Sequence, residues 1–316
     1  MSGGALTRYR FHTADVFTDR IFGGNPLAVF ADAEGLDTEL MQQIAAEFNL
    51  SETAFVLPPR QPQHHCQLRI FTPTAELPFA GHPTIGTAIV LASIGAIELQ
   101  DDHAEVIFEE EAGAVAVSIQ AGTGVPAFAR LVAPQPPEFR PSVLPDSELA
   151  RVLSLQEADL LDAPFQPEAV SCGVPLLFVG LKNRAALARV RLDDSAWKEL
   201  LADSWAPQVY CFTFDPEREG SHVRSRMFGP GLGIPEDPAT GGAAAPLAAY
   251  LAARDTTSDG TLVWVIEQGF EMGRPSILVA EAEKRDGQIT ALRVGGNAVI
   301  VSSGEMSVPD AVLGSR

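Results

Sequence analysis

The chain has 316 residues, 46% of them hydrophobic, enough to bury a core in one large or two smaller domains. Acidic residues outnumber basic ones by 41 to 22, a formal charge of −19; nucleic acid and anionic membrane select basic surfaces and are not expected as partners. Cys66, Cys172 and Cys211 are too widely spaced for a CxxC site and odd in number for a disulfide framework, so buried free thiols in a reducing compartment are expected.

The opening "MSGGALTRYRFHTADVF" lacks the apolar run of a signal peptide. The most apolar long run, "ATGGAAAPLAAYLAA", is shorter than the roughly 20 residues that span a bilayer. A cytoplasmic protein is expected. In chain order, "RYRFHTADVF" and "PLAVFA" read as strands. "DTELMQQIAAEFN" reads as a helix with Asp37 as N-cap and Leu40, Met41, Ile44, Ala45 and Phe48 on one face. The strand "CQLRIFTP" leads into the Gly/Pro turn "ELPFAGHPTIGTA". "TIGTAIVLASIG" is too evenly apolar for a surface helix and reads as a buried one. "AEVIFEEEAGAVAVSI" supplies further strands. The stretch 131–146, with five Pro, is the most linker-like. Beyond it, "GGAAAPLAAYLAA" reads as a second buried helix, and "TLVWVIEQGF", "PSILVAEAE" and "NAVIVSS" as strands.

The chain reads as written twice. "RIFTP" (69–73) resembles "RMFGP" at an offset of 157, "HPTIGTA" (82–88) resembles "DPATGGA" at 155, and "GNPLAVF" (24–30) resembles "GVPLLFV" at 149. "EAGAVAVSI" loosely resembles "EQGFEMGRPSI", starting at an offset of 156. Four matches in one order at nearly constant offset predict a duplication. The expected halves are 1–130 and 131–316, with a linker near 131–146 and a C-terminal tail able to pack back on the first half. The order of elements is not the regular βαβ alternation of a parallel doubly wound sheet. An α+β chain fits better, each half a curled mixed sheet around a buried central helix.

The Gly/Pro turns carry no P-loop Lys and no GxGxxG. No HxxxH occurs, and the adjacent His64 and His65 point different ways in a strand, so no metal is expected. What remains is a helix start. Pro83 and Pro238 suit a first helical position, which places His82 and Asp237 at the N-caps. Asp is a good cap and His is not, so His82 has less structural reason to be there. Gly86, Gly241 and Gly242 each cost a helix ~1 kcal/mol relative to Ala, which makes sense where something approaches the backbone closely. Helix N-termini bind anions, and a carboxylate-bearing small molecule is the natural guest. Two capped buried helices without a ligand are the plain alternative.

Glu52, in "NLSETAFVLP", stands between a helix and an apolar strand. A carboxylate beside such neighbours can serve as acid and base near neutrality; an exposed residue at a strand start is the plain alternative. Asn25, in "GGNPLAVF", is either a turn residue or a site residue.

Together "DVFTDRIFGGNPLAVF", "NLSETAFV", "RIFTPTAELPFAGHPTIGTA", "GIPEDPATGGAA", "EQGFEMGRPS" and "VGGNAVIVSSG" resemble the PhzF-like family, over residues 15–304. The resemblance implies the diaminopimelate epimerase-like fold of two pseudo-symmetric halves. It also implies a cofactor-independent isomerase acting on trans-2,3-dihydro-3-hydroxyanthranilate or a similar small carboxylate. In that family a Glu takes a proton from one ring carbon and returns it to another. By motif match the Glu is Glu52, the assisting residues are His82 and Asp237, and the amides of Gly241 and Gly242 hold the substrate carboxylate. Asn25, Gly81 and Thr84 are further candidates for substrate contact. A homodimer is implied as well. Where the family usually reads "DPATGSA", this chain has Gly242, which keeps the backbone donor and loses the hydroxyl. The alternatives are a racemase or epimerase without a Cys pair, or a non-catalytic small-molecule-binding protein.

Overall fold

The computed structural model describes residues 6–122 and 127–309. The chain forms two compact units, Met1–Leu131 with Gly296–Arg316, and Val132–Gly295.

The first unit runs β1 (Leu6–Val16), β2 (Asn25–Phe30), α1 (Thr38–Phe48), β3 (Glu52–Leu57), β4 (Cys66–Phe71), β5 (Glu76–Leu77), α2 (Gly81–Ser93), β6 (His103–Glu110), β7 (Gly113–Gln120) and β8 (Phe128–Val132). Helix α1 begins where its sequence says it should: the Asp37 side chain accepts from the Leu40 amide at 2.8 Å. It ends at Asn49, whose φ of 49° places it in the left-handed region that Asn tolerates. Its buried face is Met41, Ile44 and Ala45. These pack with Phe30, Phe55 and Phe71 into one core, flanked by Phe11 and Phe48.

The second unit runs β9 (Glu138–Pro141), α3 (Asp146–Val152), β10 (Glu168–Ser171), β11 (Pro175–Gly180), α4 (Arg184–Arg189), α5 (Asp194–Leu200), β12 (Gln208–Thr213), β13 (Val223–Gly229), β14 (Ile234–Asp237), α6 (Gly241–Ala252), β15 (Gly260–Gln268), β16 (Ser276–Arg285) and β17 (Gln288–Pro309). The Pro-rich stretch 131–146 is thus not bare linker, because β9 lies in it and pairs with β10. Strand β17 continues past Gly295 into the first unit, where it pairs antiparallel with β1 from Val16↔Ala298 to Leu6↔Pro309. A second core gathers Leu149, Val152, Leu177, Val209 and Trp197, burying α3, α4 and α5 on one side of the strands.

The duplication holds pairing by pairing. Strands β1–β2 and β10–β11 are antiparallel. Strands β2–β3 and β11–β12 are parallel. Strands β3–β4 and β12–β13 are antiparallel, as are β4–β5 and β13–β14. Strands β4–β6 and β13–β15 are parallel, and β6–β7 and β15–β16 antiparallel. Register then gives equivalences that motif matching does not. Leu27 pairs with Glu52 and its counterpart Leu176 pairs with Gln208, so Gln208 stands in the second unit where Glu52 stands in the first. Gln67 pairs with Glu109 and Arg224 with Glu267. The last repeat is therefore offset by 158, not 156, making Glu109 equivalent to Glu267 and Glu110 to Gln268. The loose alternation there, with one charged residue after another, leaves the register open by two positions in the sequence alone.

Each unit wraps its sheet around one helix. Helix α2 contacts β1, β2, β3 and β7, and α6 contacts β10, β11, β15 and β16. Every residue of α2 from Gly81 to Leu91 is buried. Burying side chains such as Ile85, Ile89 and Leu91 stabilises by roughly 1.5–3 kcal/mol each. Gly86 is explained by this packing and not by a ligand. A Cβ there would sit 2.6 Å from Leu27 Cδ2 and 2.6 Å from Val16 Cγ2.

The helix starts differ from the sequence reading. The N-cap of α2 is Ala80, with His82 and Pro83 inside the first turn, and the N-cap of α6 is Thr240. Asp237 ends β14, so Pro238 precedes the helix. A Pro is equally compatible with the first turn and with the loop before it, since its missing N–H has no helical partner in either place. No described helix is long and apolar enough to cross a membrane.

Candidate active site

In the first unit three of the candidate side chains meet. Glu52 opens β3, His82 is the second residue of α2, and Asn25 opens β2; all three are buried. Glu52 Oε2 lies 3.0 Å from His82 Nε2. The pair is close but not aligned as a hydrogen bond, and Glu52 Oε2 has no hydrogen-bond partner among the described residues. An acid/base group with a free oxygen can turn to a substrate, and such bonds often tighten only once substrate is bound. On the far side of the ring, Asn25 Nδ2 is 3.4 Å from His82 Nδ1. With Asn25 donating to Nδ1, the imidazole carries its proton on Nε2, facing Glu52.

Gly81 is the first residue of α2 and is buried. Thr84 is fully buried too, and its hydroxyl is engaged inside the protein: Oγ1 lies 2.7 Å from the Ala80 carbonyl and 2.6 Å from Glu110 Oε1. Sequence reasoning misses Glu110. Burial pushes its carboxyl up to about 8, against the lowering effect of bonds from Thr84 and the Ala80 backbone. Its neighbour Glu109 goes the other way. Burial there opposes the shift, but the Arg60 amide, His64 and the Gln61 amide together hold that carboxyl below the usual range. The His64 ring nitrogen Nδ1 is 2.9 Å from Glu109 Oε1, and His65 Nδ1 accepts from the Ile107 amide. Both histidines are thus held in the protein framework. No described group of His, Cys, Asp and Glu could hold a metal ion.

In the second unit the corresponding turn is built around Gln268. Its Nε2 donates to Thr240 Oγ1 and to the Asp237 carbonyl, each at 2.8 Å, and its Oε1 accepts from the Thr240 amide at 3.1 Å. The Thr240 hydroxyl donates to Asp237 Oδ2 at 2.6 Å. Ser276 pins the same turn by donating to the Pro238 carbonyl. Gly241 and Gly242 follow as the first residues of α6, where amides have no intrahelical acceptor and face whatever lies beyond the helix end. Gly241 is buried and Gly242 exposed, and a Cβ on Gly242 would meet nothing within 4 Å. Thr240 and Gln268 can be found from sequence only once the register of the repeat is known.

The cysteines are the wrong material for a thiol mechanism. Burial pushes Cys66, Cys172 and Cys211 each up to about 12, and all three are free. None carries appreciable thiolate near neutrality.

Comparison with known proteins agrees with the doubled fold and the turn motifs. The family described as phenazine biosynthesis-like protein, PhzC-PhzF, matches residues 14–304. This chain belongs to that family. An uncharacterized isomerase of Mesorhizobium japonicum is 42% identical, over 93% of this chain and 97% of its own. The trans-2,3-dihydro-3-hydroxyanthranilate isomerase of Pseudomonas chlororaphis is 38% identical, over 92% of this chain and 96% of its own. Among solved structures, the Bacillus anthracis phenazine biosynthesis protein of the PhzF family superposes with a TM-score of 0.87 at 26% identity, covering 96% of this chain and all of that one. A hydroxyproline epimerase of Agrobacterium vitis shares the fold at a TM-score of 0.60 and 12% identity, covering 96% and 94%. The fold is the diaminopimelate epimerase-like one, and the PhzF-family chain is an isomerase.

Proposed function

We propose that this PhzF-family chain is a cofactor-independent isomerase that moves a proton within a small carboxylate substrate resembling trans-2,3-dihydro-3-hydroxyanthranilate. Glu52 is the single acid/base. As carboxylate it takes a proton from one carbon of the substrate. As carboxylic acid it returns that proton to another, so the double bond shifts and the atoms balance without a second base. His82 points Nε2 at Glu52 and donates to it once bound substrate aligns the pair, and Asn25 sets the His82 tautomer. In the same reading Asp237 assists the transfer and the Gly241 and Gly242 amides hold the substrate carboxylate. The observation that carries the reading is the buried 3.0 Å approach of Glu52 Oε2 to His82 Nε2. One positioned carboxylate near its substrate can supply rate through proximity and proton transfer. A cytoplasmic setting and a homodimer belong to the same proposal.

The test is incubation with trans-2,3-dihydro-3-hydroxyanthranilate in deuterated water. Turnover with deuterium exchange at carbon, abolished by Glu52→Gln, is expected. Binding without exchange would instead identify a non-catalytic binding protein.

A further inference from the structure

The Thr84 hydroxyl makes two short contacts, 2.7 Å to the Ala80 carbonyl and 2.6 Å to Glu110 Oε1. It has one hydrogen and can donate to only one of them. The Ala80 carbonyl cannot donate. When that hydrogen goes to Ala80, the Glu110 contact is completed by a hydrogen on Glu110, which carries one only as a carboxylic acid. The second unit has, at the position equivalent to Glu110, a side chain that cannot ionise. There Gln268 donates from Nε2 to Thr240 Oγ1, and Thr240 donates onward to Asp237. Each central helix start thus ties a Thr hydroxyl to this sheet position, through Thr84, the fourth residue of α2, and through Thr240, the N-cap of α6, which are not equivalent residues. One is built with an amide and the other with an acid.

We propose that Glu110 is held as a neutral carboxylic acid that donates to Thr84, positions the first turn of α2 that carries His82, and limits activity on the alkaline side when it ionises. The proposal rests on the reading of Glu52 and His82 as the proton-transfer pair. Ionised, Glu110 would compete with Ala80 for the Thr84 hydrogen, and the turn two residues from His82 would lose one of its ties. Burial favours the neutral form, and the Thr84 hydroxyl and the Ala80 backbone pull the other way. Glu109 and Glu111 flank Glu110 in sequence, and the buried thiol of Cys66 lies near it on β4. The open side is a pocket shared with Arg60, Arg69 and Glu76. Arg69 is committed to Glu76 by two 2.7 Å bonds. Burial, not a like charge, is the main force keeping the proton on.

Glu110→Gln and Glu110→Ala separate the possibilities. With trans-2,3-dihydro-3-hydroxyanthranilate as probe, wild-type kcat is expected to fall with an alkaline midpoint near 8. Glu110→Gln keeps the donor, so it retains turnover near neutral pH and loses that alkaline limb. Glu110→Ala loses about tenfold in kcat, more than in KM, since a donor that positions the His82 turn is removed from a buried relay. A second readout does not depend on activity. Infrared difference spectroscopy near neutral pH is expected to show a protonated carboxyl band in wild type that Glu110→Gln removes. An alkaline limb unchanged in Glu110→Gln, or the absence of that band, overturns the proposal. If Glu52→Gln were fully active while the band persisted, the proton-transfer reading would fail and the protonated Glu110 would stand.

Discussion

Glu52 Oε2 and His82 Nε2 stand 3.0 Å apart, both side chains buried, one at the start of a strand and the other in the first turn of the central helix. Loss of either partner leaves the other polar and buried. Glu52→Gln is expected to lower kcat by at least about 10²-fold, because it removes the proton carrier and keeps the shape. His82→Asn should cost less, about tenfold to 10²-fold, because it disturbs a group that orients the carrier. Steady-state kinetics with unchanged circular dichroism would check both.

Stability should depend on pH through Glu110. Its folded-state carboxyl is raised to about 8 from an ordinary 4.5. The folded state therefore holds a proton that the unfolded chain releases above its own ordinary value. Stability from this group is full below about 4.5, falls as pH rises, and levels off above about 8. The upper bound on the loss is about 5 kcal/mol, at about 1.4 kcal/mol for each tenfold change in proton affinity. Urea unfolding across that window should show a decline in wild type that flattens in Glu110→Gln. An equal slope in both proteins would contradict it.

Gly86→Ala should destabilise. The new Cβ would lie 2.6 Å from atoms of both Leu27 and Val16, so β1 or β2 must move away from α2. Overpacking of this kind costs typically about 1–3 kcal/mol, which outweighs the gain in helix propensity. A lowered melting temperature with retained fold is the expected result.

Gly242→Ala should behave oppositely. No atom lies within 4 Å of the added methyl and the backbone there needs no positive φ. Replacing Gly in a helix should raise stability by up to about 1 kcal/mol. Under the proposed function, Gly242→Ser should also alter substrate KM, because a hydroxyl would enter beside the amides proposed to hold the carboxylate. Thermal melts and kinetics on the same two variants check this.

Thiol reagents should leave the native enzyme active. With Cys66, Cys172 and Cys211 all raised to about 12 by burial, alkylation near neutrality should be slow until the chain unfolds. Fast loss of activity with iodoacetamide would contradict this.

Local chemistry alone is enough to read α1, with its Asp37 cap and its Met41, Ile44 and Ala45 face, because cap and periodicity lie within one turn of each other. The two buried central helices are legible from their even apolarity, and the duplication from motifs recurring in order. The PhzF resemblance comes from those motifs, and the family match over 14–304 agrees with it. His82 draws attention as a residue its helix position explains poorly, although the cap proves to be Ala80. What only the tertiary structure decided depends on register and on burial. A two-residue ambiguity in "FEEEAG" against "IEQGF" hides that Glu110 and Gln268 are equivalent, and strand pairing resolves it. Nothing in the sequence says that Thr84 turns inward to Glu110, or that Glu52 meets His82. Those contacts join strand starts to a helix start, and distances between separate elements are set by how the sheet curls around its helix, which no local pattern encodes.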